Sequence, residues 1–452
     1  MSDWEPVAML AAAQAISVVS DAGRAPVLTR VFDLEVGHGD PVRGAVTATA
    51  HGIFEACLNG RPVTEDLFTP GWTAYEWRLQ VVQFDITHLL ESRNRLDVLV
   101  GNGWWRGHLG FAGADANYGD RLALLANVTI EYADGHRQVL DTGPDWSAAA
   151  SQVVGNSIYN GQEVDLTLEP EELTIEVVEL DRSRLTPVVG PPVRRQEFLR
   201  PQRIWTSPSG GTLLDFGQNV VGWLRFGVTG ERGTRIRLRH AEVLVDGELA
   251  TEPLREAAAT DVVVLSGGED FFEPTLTFHG FRYAEVTGWP GLLTADDIEA
   301  VVVHSEMRRT GWFECSDPRV NRLVENAVWG QRGNFLEVPT DCPQRDERLG
   351  WTGDIAVFAP SACFAYDVAG FLDRWLLDLE AETRAAAGVV PLVVPDVLKH
   401  GQLPAELDVD FTGPFAIWGD AAVWVPQALW TAYGDVERLA AHYPAMAMHL
   451  DG

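Results

Sequence analysis

The sequence contains few cysteines and no long apolar run. The four cysteines lie far apart and form no C-x-x-C pair, which predicts reduced thiols rather than a disulfide framework or a zinc site; they are Cys57, Cys315, Cys342 and Cys363. No run of about eighteen apolar residues is present, so no segment is predicted to cross a bilayer. The first residues include acidic but no basic side chains ahead of an apolar stretch, unlike a secretory signal peptide. We therefore expect a cytoplasmic protein.

Basic residues are scarce relative to acidic ones. Lysine and arginine together number 34 against 65 aspartates and glutamates, which gives a formal net charge of -31. Because such a surface repels phosphate groups and anionic lipids, we expect neither a nucleic acid nor a membrane as a partner. The 11 histidines show no H-E-x-x-H motif and no other paired-ligand spacing. We therefore expect no metal and no other cofactor.

The composition is otherwise that of a folded protein rich in tryptophan. Hydrophobic residues make up 46% and charged residues 22% of the chain, values that exclude a disordered or fibrous protein. A length of 452 residues suggests about three domains. The 16 tryptophans are a natural partner for sugar rings, although most tryptophans in any protein belong to the core.

Up to about residue 305 the pattern is typical of β-structure. Short alternating segments are separated by turn residues such as Asn59-Gly60, and strands are predicted at residues 45–50, 96–100, 124–132, 235–239 and 300–304. Many short strands at this spacing indicate antiparallel β-sandwiches rather than an α/β sheet. The proline-rich, charged stretch over residues 185–203 is predicted to be a linker. We therefore expect two β-sandwich domains, over residues 1–190 and 191–305.

After His304 the period becomes helical. Ser316 is the predicted N-cap, followed by Asp317 and Pro318 in the first turn. Apolar residues from Val320 onward then follow helical spacing, and further helices are predicted over residues 355–366, 371–387, 420–433 and 436–450. Successive helices without strands between them indicate helical hairpins. The chain stops directly after a helix, so we expect this third domain, residues 306–452, to be incomplete.

The densest group of chemically active residue types lies in the segment TDCPQRDERLGWTGD, residues 340–354. Loops on a rigid scaffold often hold catalytic groups. Crowded carboxylates cannot all ionise, so at least one should keep a proton near neutral pH, as the acid of a glycosidase must. A solvated loop with surface ion pairs is the alternative that composition alone favours. The carboxylates are Asp341, Asp346, Glu347 and Asp354, interleaved with Arg345 and Arg348.

This segment closely resembles the signature of bacterial alpha-L-rhamnosidases, which are inverting glycoside hydrolases. Six other segments resemble the two β-sandwiches of that family in the same order, and the match runs from about residue 27 to about residue 443. The resemblance implies that the helical domain is the start of an (α/α)6 catalytic barrel, incomplete at its C-terminus. The six segments are residues 56–60, 69–73, 101–107, 215–219, 239–244 and 279–283.

The resemblance also implies a role for each site residue. Glu347 matches the general acid, and Asp341 and Asp354 match carboxylates that hold rhamnose hydroxyls. Arg345 matches a basic residue beside them, and Trp351 matches an aromatic wall of the sugar subsite, with core packing as the alternative. Three further residues are possible substrate contacts: Asp346, next to the acid, and Trp418 and Asp420, which resemble a second element near the pocket. A helix N-cap is the alternative role of Asp420.

The function that this resemblance implies is hydrolysis of terminal non-reducing alpha-L-rhamnose residues with inversion, on a rhamnose-containing glycoside or oligosaccharide. Inversion also requires a second carboxylate to activate water. The family supplies it from a glutamate later in the barrel, so we expect the general base beyond Gly452. Two alternatives stay open. The first is a non-catalytic carbohydrate-binding protein, and the second is an inverting (α/α)6 glycosidase for another sugar, since a fold does not determine the substrate.

Overall fold

The computed structural model describes residues 4–111, 114–400 and 413–451. Strands and sheets make up the chain as far as Ser305, and the C-terminal part is helical. No helix in these ranges is long and apolar enough to cross a membrane.

The first β region contains two sheets that share one apolar core. Its strands are β1 Ile16–Val18, β2 Pro26–Asp33, β3 Pro41–His51, β4 Ile53–Leu58, β5 Arg61–Pro62, β6 Leu79–Asp85, β7 Arg93–Gly101, β8 Ala123–Tyr132, β9 Arg137–Asp141, β10 Ser147–Ala150, β11 Val153–Ser157, β12 Gly161–Asp165, β13 Glu171–Leu173, β14 Ile175–Val177 and β15 Leu185–Pro187. Two short helices accompany them, α1 Pro6–Met9 and α2 Gly103–Arg106.

One sheet has the order β14-β1-β8-β3-β6-β15 with β9 beside β8, and the other has the order β13-β10-β2-β7-β4-β5. The predicted strands at residues 45–50, 96–100 and 124–132 are confirmed as parts of β3, β7 and β8. Side chains alternate between core and solvent along β7, as a half-buried strand requires.

The second β region is built around a third sheet. Its strands are β16 Val193–Leu199, β17 Arg203–Thr206, β18 Thr212–Thr229, β19 Arg235–Ala241, β20 Leu244–Val245, β21 Glu248–Leu249, β22 Thr260–Val264, β23 Glu269–Phe272, β24 His279–Thr287 and β25 Ile298–Ser305. The sheet order is β11-β12-β22-β19-β24-β18-β25-β16, with β17 and β23 paired to β18. The predicted strands at residues 235–239 and 300–304 are confirmed in β19 and β25.

Two details of the β regions differ from the sequence prediction. The prediction of a linker over residues 185–203 was wrong, because this stretch contains β15 and β16. Pro191 and Pro192 precede β16 and do not interrupt it. The sheets are also not purely antiparallel, since β15 pairs with β6, and β12 with β22, in parallel. Strands β11 and β12 belong to the third sheet although residue 190 was the predicted boundary, and the domain limits stay a prediction.

The C-terminal part contains the predicted helices. They are α3 Pro318–Asn334, α4 Thr352–Ala365, α5 Ala369–Ala385, α6 Ala421–Tyr433 and α7 Val436–Asp451, and the short strands β26 Phe335–Leu336 and β27 Val338–Pro339 follow α3. The N-cap of α3 is Asp317 and not Ser316, because the Asp317 carboxylate accepts from the Arg319 backbone N–H. Gly434 ends α6 in the left-handed conformation, φ 66°.

The helical part packs on both β regions. Helix α3 contacts β18 and β25 of the third sheet. Helix α5 contacts the first β region, where Arg78 Nη1 lies 2.6 Å from Asp378 Oδ1, and Glu337 accepts a bond from the Trp72 backbone N–H. The segment between β27 and α4, residues 340–351, therefore lies where the helices and both β regions meet.

Candidate active site

Arg348 fixes the loop of residues 340–351 from inside. Its side chain is 1% exposed, and burial lowers its pKa to about 10. The guanidinium donates to the carbonyls of Ile158 and Phe278 at 2.9 and 2.7 Å and to those of Arg345 and Gln344 at 3.0 and 3.2 Å. One cation thus joins the loop to the third sheet, at the turn between β11 and β12 and at the residue before β24.

The backbone at Glu347 and Arg348 is strained. Their φ angles are 145° and 46°, values that side-chain-bearing residues rarely adopt. The Tyr159 hydroxyl donates to the Glu347 carbonyl and, with the Arg348 bonds, holds this conformation. Such strain persists only where surrounding contacts impose it, and it is frequent at functional sites.

The Glu347 carboxyl is 6% exposed and has three directed donors. Arg345 and Arg255 lie 2.8 and 2.9 Å from its Oε2, and the Trp351 indole N–H donates to Oε1 at 2.9 Å. Burial is the main cause that raises the pKa of Glu347, and the charge of Asp341 raises it further. The two arginines oppose that rise. A carboxyl that keeps its proton above the usual pH range suits general acid catalysis.

Asp341 and Asp354 line a cavity beside Glu347. The cavity has a volume of 580 Å³ and combines these carboxylates with an apolar wall that includes Phe358 and Trp418. Asp341 accepts from the Leu349 backbone N–H and from Arg345, both at 3.0 Å. Burial and the charge of Asp341 raise the pKa of Asp354, which lies in the first turn of α4. Volume and lining fit a small polar ligand with an apolar edge.

The predicted site residues fall into two groups. Trp418 lines the cavity with Asp341 and Asp354. Arg345 and Trp351 contact Glu347, which adjoins the cavity through Asp341 and does not itself line it. The two remaining residues, Asp346 and Asp420, belong to neither group.

Asp346 is 3% exposed, and the charges nearest to it belong to Arg255, Glu256 and His108 of the β regions; burial raises its pKa. Its surroundings therefore differ from those of Glu347. Asp420 occupies the N-cap position of α6, but its side chain makes no capping bond and accepts from the Ile417 backbone N–H at 3.0 Å. It stabilises the turn that presents Ile417 and Trp418.

Sequence reasoning missed Tyr159 and Arg255 as neighbours of Glu347. Tyr159 is separated from Glu347 by 188 residues and Arg255 by 92. Neither lies in a segment with a local chemical pattern, so only a knowledge of which segments pack together could have identified them.

Three side-chain groups in the described part of the chain converge closely enough to be compared with metal sites. Around Asp341, Cys342 and Glu347, Arg345 already occupies the carboxylates, and burial raises the pKa of the Cys342 thiol to about 12, so it stays a poor ligand.

The other two groups contain stacked histidines. The rings of His240 and His279 lie 4.3 Å apart and nearly parallel, as do those of His38 and His136 at 3.7 Å. A coordinating imidazole holds its metal close to the ring plane, and parallel rings share no such point. None of the three groups suits a metal ion, and the absence of a cofactor stays a prediction.

Three family models match consecutive parts of the chain. Residues 39–204 match the alpha-L-rhamnosidase N-terminal domain, and residues 206–304 match the bacterial alpha-L-rhamnosidase concanavalin-like domain. Residues 308–452 match the bacterial alpha-L-rhamnosidase 6 hairpin glycosidase domain.

Curated and solved relatives agree with the models. An alpha-L-rhamnosidase of Streptomyces avermitilis is 41% identical over 98% of this chain and 44% of its own length. The crystal structure of the Aspergillus terreus enzyme superposes with a TM-score of 0.90 at 39% identity, over 96% of this chain and 51% of that one. The Streptomyces avermitilis enzyme complexed with L-rhamnose gives 0.87 at 41% identity, over 95% and 42%. The chain thus spans about half the length of these relatives, and it belongs to the bacterial alpha-L-rhamnosidase family.

Proposed function

We propose that this chain provides the acid and sugar-binding groups for hydrolysis of terminal non-reducing alpha-L-rhamnose residues with inversion. The observation that carries the proposal is the buried Glu347 carboxyl, with its raised pKa, beside a cavity that contains Asp341 and Asp354. Relatives named alpha-L-rhamnosidase, one of them complexed with L-rhamnose, support the choice of sugar.

In this mechanism Glu347 protonates the glycosidic oxygen as the bond to the sugar breaks. Asp341 and Asp354 accept from sugar hydroxyls, and such charge-assisted bonds are stronger than neutral ones. Rhamnose is a 6-deoxy sugar with a methyl group in place of the hydroxymethyl group, and the apolar wall with Phe358 can receive this methyl. Arg345 contacts both Asp341 and Glu347 and so couples binding to the acid.

The water-activating base is a separate part of the proposal. An inverting pair needs a separation of roughly 6.5–9.5 Å to hold a water molecule, whereas oxygens of Asp341 and Glu347 lie within 4.8 Å of each other. Asp341 is therefore unsuited to that role. Following the resemblance to the family, we assign the base to a glutamate beyond residue 452.

We also propose the domain division 1–190, 191–305 and 306–452, with two β-sandwiches and the first part of an (α/α)6 barrel. The two separate sheets of the first β region and the run of five helices support it. Limited proteolysis that cuts preferentially near residues 190 and 305 is the expected result.

We further propose that the protein is cytoplasmic and that its partner is a rhamnose-containing substrate. Neither a nucleic acid nor a membrane is proposed as a partner. The free thiols of Cys57, Cys315, Cys342 and Cys363 and the net charge of -31 support this proposal. Cell fractionation followed by thiol titration tests the location, and recovery outside the cytoplasm contradicts it.

The test of function combines binding and turnover. Calorimetry with L-rhamnose is expected to show binding to the chain of 452 residues, and weaker binding to its Asp354→Asn variant. The longest product of the gene is expected to hydrolyse an aryl alpha-L-rhamnoside, releasing beta-L-rhamnose first in a proton NMR time course. A first product with retained configuration contradicts the proposal. An affinity for L-rhamnose that is unchanged in the Asp354→Asn variant contradicts it as well. Rhamnose binding without any hydrolysis favours the non-catalytic alternative.

A further inference from the structure

Arg255 reaches the candidate acid from the second β region. It follows the short 3-10 helix Glu252–Leu254, between β21 and β22. Its Nη1 lies 2.9 Å from Glu347 Oε2, and its side chain is 42% exposed. The two residues meet across an interface between separate parts of the fold.

The turn that carries Arg255 is docked on the loop of residues 340–351, called the acid loop after its carboxylates, by more than this ion pair. The Leu254 carbonyl accepts from the Asp346 backbone N–H at 3.3 Å, and the Leu254 side chain is buried. Arg255 itself has φ 55°, a conformation that costs a residue with a side chain. The packing of the turn therefore places the Arg255 backbone beside the loop, and the ion pair with Glu347 holds the guanidinium.

Arg255 and Arg345 contact the same carboxylate oxygen but have different partners. Arg345 divides its charge between Asp341 and Glu347. Arg255 pairs with Glu347 and also lies near Asp346, with the Phe111 ring 5.9 Å from its guanidinium carbon. The charged groups that face Glu347 are thus Asp341 and Arg345 from its own loop and Arg255 from the β region.

We propose that Arg255 is a positioning residue that orients the Glu347 carboxyl and stabilises its ionised form once the proton has been given up. Two donors on Oε2 and the Trp351 indole on Oε1 leave the carboxyl little freedom to rotate. The catalytic meaning of this role rests on the proposed function, whereas the contact with Glu347 does not.

Removing the Arg255 cation should shift the pKa of Glu347 in a predictable direction. Arg255 favours the carboxylate over the carboxylic acid, so its loss raises the pKa of Glu347 further. In an active enzyme the basic limb of the pH profile would move to higher pH, because the acid would keep its proton longer. Loss of orientation would lower kcat more than it changes KM.

The Trp351 indole N–H provides a readout that needs no turnover. Because it donates to Glu347 Oε1, its NMR resonance should follow the ionisation of that carboxyl in a chain labelled with 15N-tryptophan. Trp351→Phe assigns the resonance, and its titration should disappear in Glu347→Gln. These two variants establish the probe before Arg255 is changed.

The test compares the pH midpoint of this resonance in Arg255→Met, Arg255→Lys and Arg235→Met. Arg235 is a matched control, since it forms a 2.8 Å pair with Glu163 on the third sheet and is also partly exposed. We expect a higher midpoint in Arg255→Met, a value nearer wild type in Arg255→Lys, and the wild-type value in Arg235→Met. An unchanged midpoint in Arg255→Met, or an equal rise in the control, overturns the proposal.

The outcome also separates this inference from the proposed function. If the midpoint rises but no form of the protein hydrolyses a rhamnoside, the Arg255 role stands and the proposed function fails. If rhamnosides are hydrolysed and the midpoint is unchanged, the proposed function stands and Arg255 is not a positioning residue.

Discussion

Two adjacent carboxyl groups, Asp346 and Glu347, lie in different electrostatic surroundings. Glu347 contacts Arg345 and Trp351 close to Asp341, whereas Asp346 faces Glu256 and His108 of the β regions. The positive φ of Glu347 changes the direction of the chain between them. Sequence alone could identify both as adjacent acidic residues. It could not derive their different surroundings, because Glu256 and His108 approach Asp346 from distant segments, whereas Arg255 lies near both carboxyls.

Glu347→Gln should lower turnover of a natural rhamnoside by roughly two to four orders of magnitude, the usual contribution of a general acid. An aryl rhamnoside with an acidic phenol should be affected less, because its leaving group needs less protonation. Steady-state kinetics on the two substrates measure both effects. Asp346→Asn is the matched control, and a larger loss in that variant than in Glu347→Gln would reverse the assignment.

Asp341→Asn and Asp354→Asn should weaken binding of L-rhamnose. Each change removes a charged acceptor that lines the cavity, at a cost of about 1–3 kcal/mol per lost bond. Calorimetry with the free sugar measures the change in dissociation constant. The Asp420 carboxylate accepts from the Ile417 backbone N–H, so Asp420→Asn changes a turn beside the cavity rather than its lining. We expect this variant to weaken the binding of L-rhamnose less.

His304 should make the folded state less stable in acid. Its Nδ1 donates to the Ser305 carbonyl and its Nε2 accepts from Arg332, so the ring is neutral. Burial and Arg332 lower its pKa to about 4. Since an unfolded histidine titrates near 6.5, the unfolded state binds the proton first and the free energy of unfolding falls from about pH 6.5 to about pH 4, by up to roughly 3 kcal/mol.

Urea unfolding of wild type and His304→Gln across this pH range measures that contribution. The variant should have a shallower pH dependence, whereas His88→Gln, at an exposed position, should follow the wild-type curve. Parallel curves for wild type and His304→Gln would exclude the effect.

At the level of elements, periodicity predicted most strands and helices because one face of each is buried. Strand β7 and helix α5 are examples, with regularly spaced apolar residues facing the core. The expected linker failed because a proline pair next to an edge strand has the same composition as a linker. The acid loop could be recognised by its residues, but its strained backbone could not be predicted, since Arg348 imposes it through distant carbonyls.

Arg348→Lys should loosen the acid loop. A lysine amine has three donors on a flexible chain and cannot reproduce the four carbonyl contacts, so bonds worth about 1–3 kcal/mol each are lost. We expect lower stability in urea and faster hydrogen exchange over residues 341–350. Arg319 is exposed, so Arg319→Lys should change neither the stability in urea nor the hydrogen exchange of the loop. Equal exchange in the two variants would show that Arg348 does not hold the loop.

At the scale of the whole molecule, the order of the three parts could be predicted from the succession of motifs, but not the way they join. The joining contacts include buried ion pairs between residues far apart in sequence. Arg78 and Asp378, at 2.6 Å, link the first β region to α5, and Glu337 pairs with Arg374 close by. Burial raises the pKa of Asp378 even though Arg78 opposes the rise. Such a pair needs both partners, because each alone is an uncompensated buried charge.

Asp378→Ala should therefore destabilise the chain by about 3–5 kcal/mol, the usual cost of leaving one charge of a buried pair alone. The matched control is Arg384→Ala on the same helix, where the Arg384 side chain is 63% exposed and its pair with Glu380 should contribute about 0–1 kcal/mol. Urea unfolding of the two variants and of wild type gives the free energies.

The double variant Arg78→Met/Asp378→Leu separates the cost of an unpaired charge from the contribution of the pair itself. Replacing both charges by apolar side chains leaves neither Arg78 nor Asp378 unpaired, so it should recover part of the stability that Asp378→Ala loses. The Ala74 backbone N–H, which donates to Asp378, still loses its acceptor. Hydrogen exchange over α5 and residues 69–78 shows whether the loss is local to this contact. If Asp378→Ala cost no more than Arg384→Ala, the first β region and the helices would be held together by their shared apolar core, and not by this ion pair.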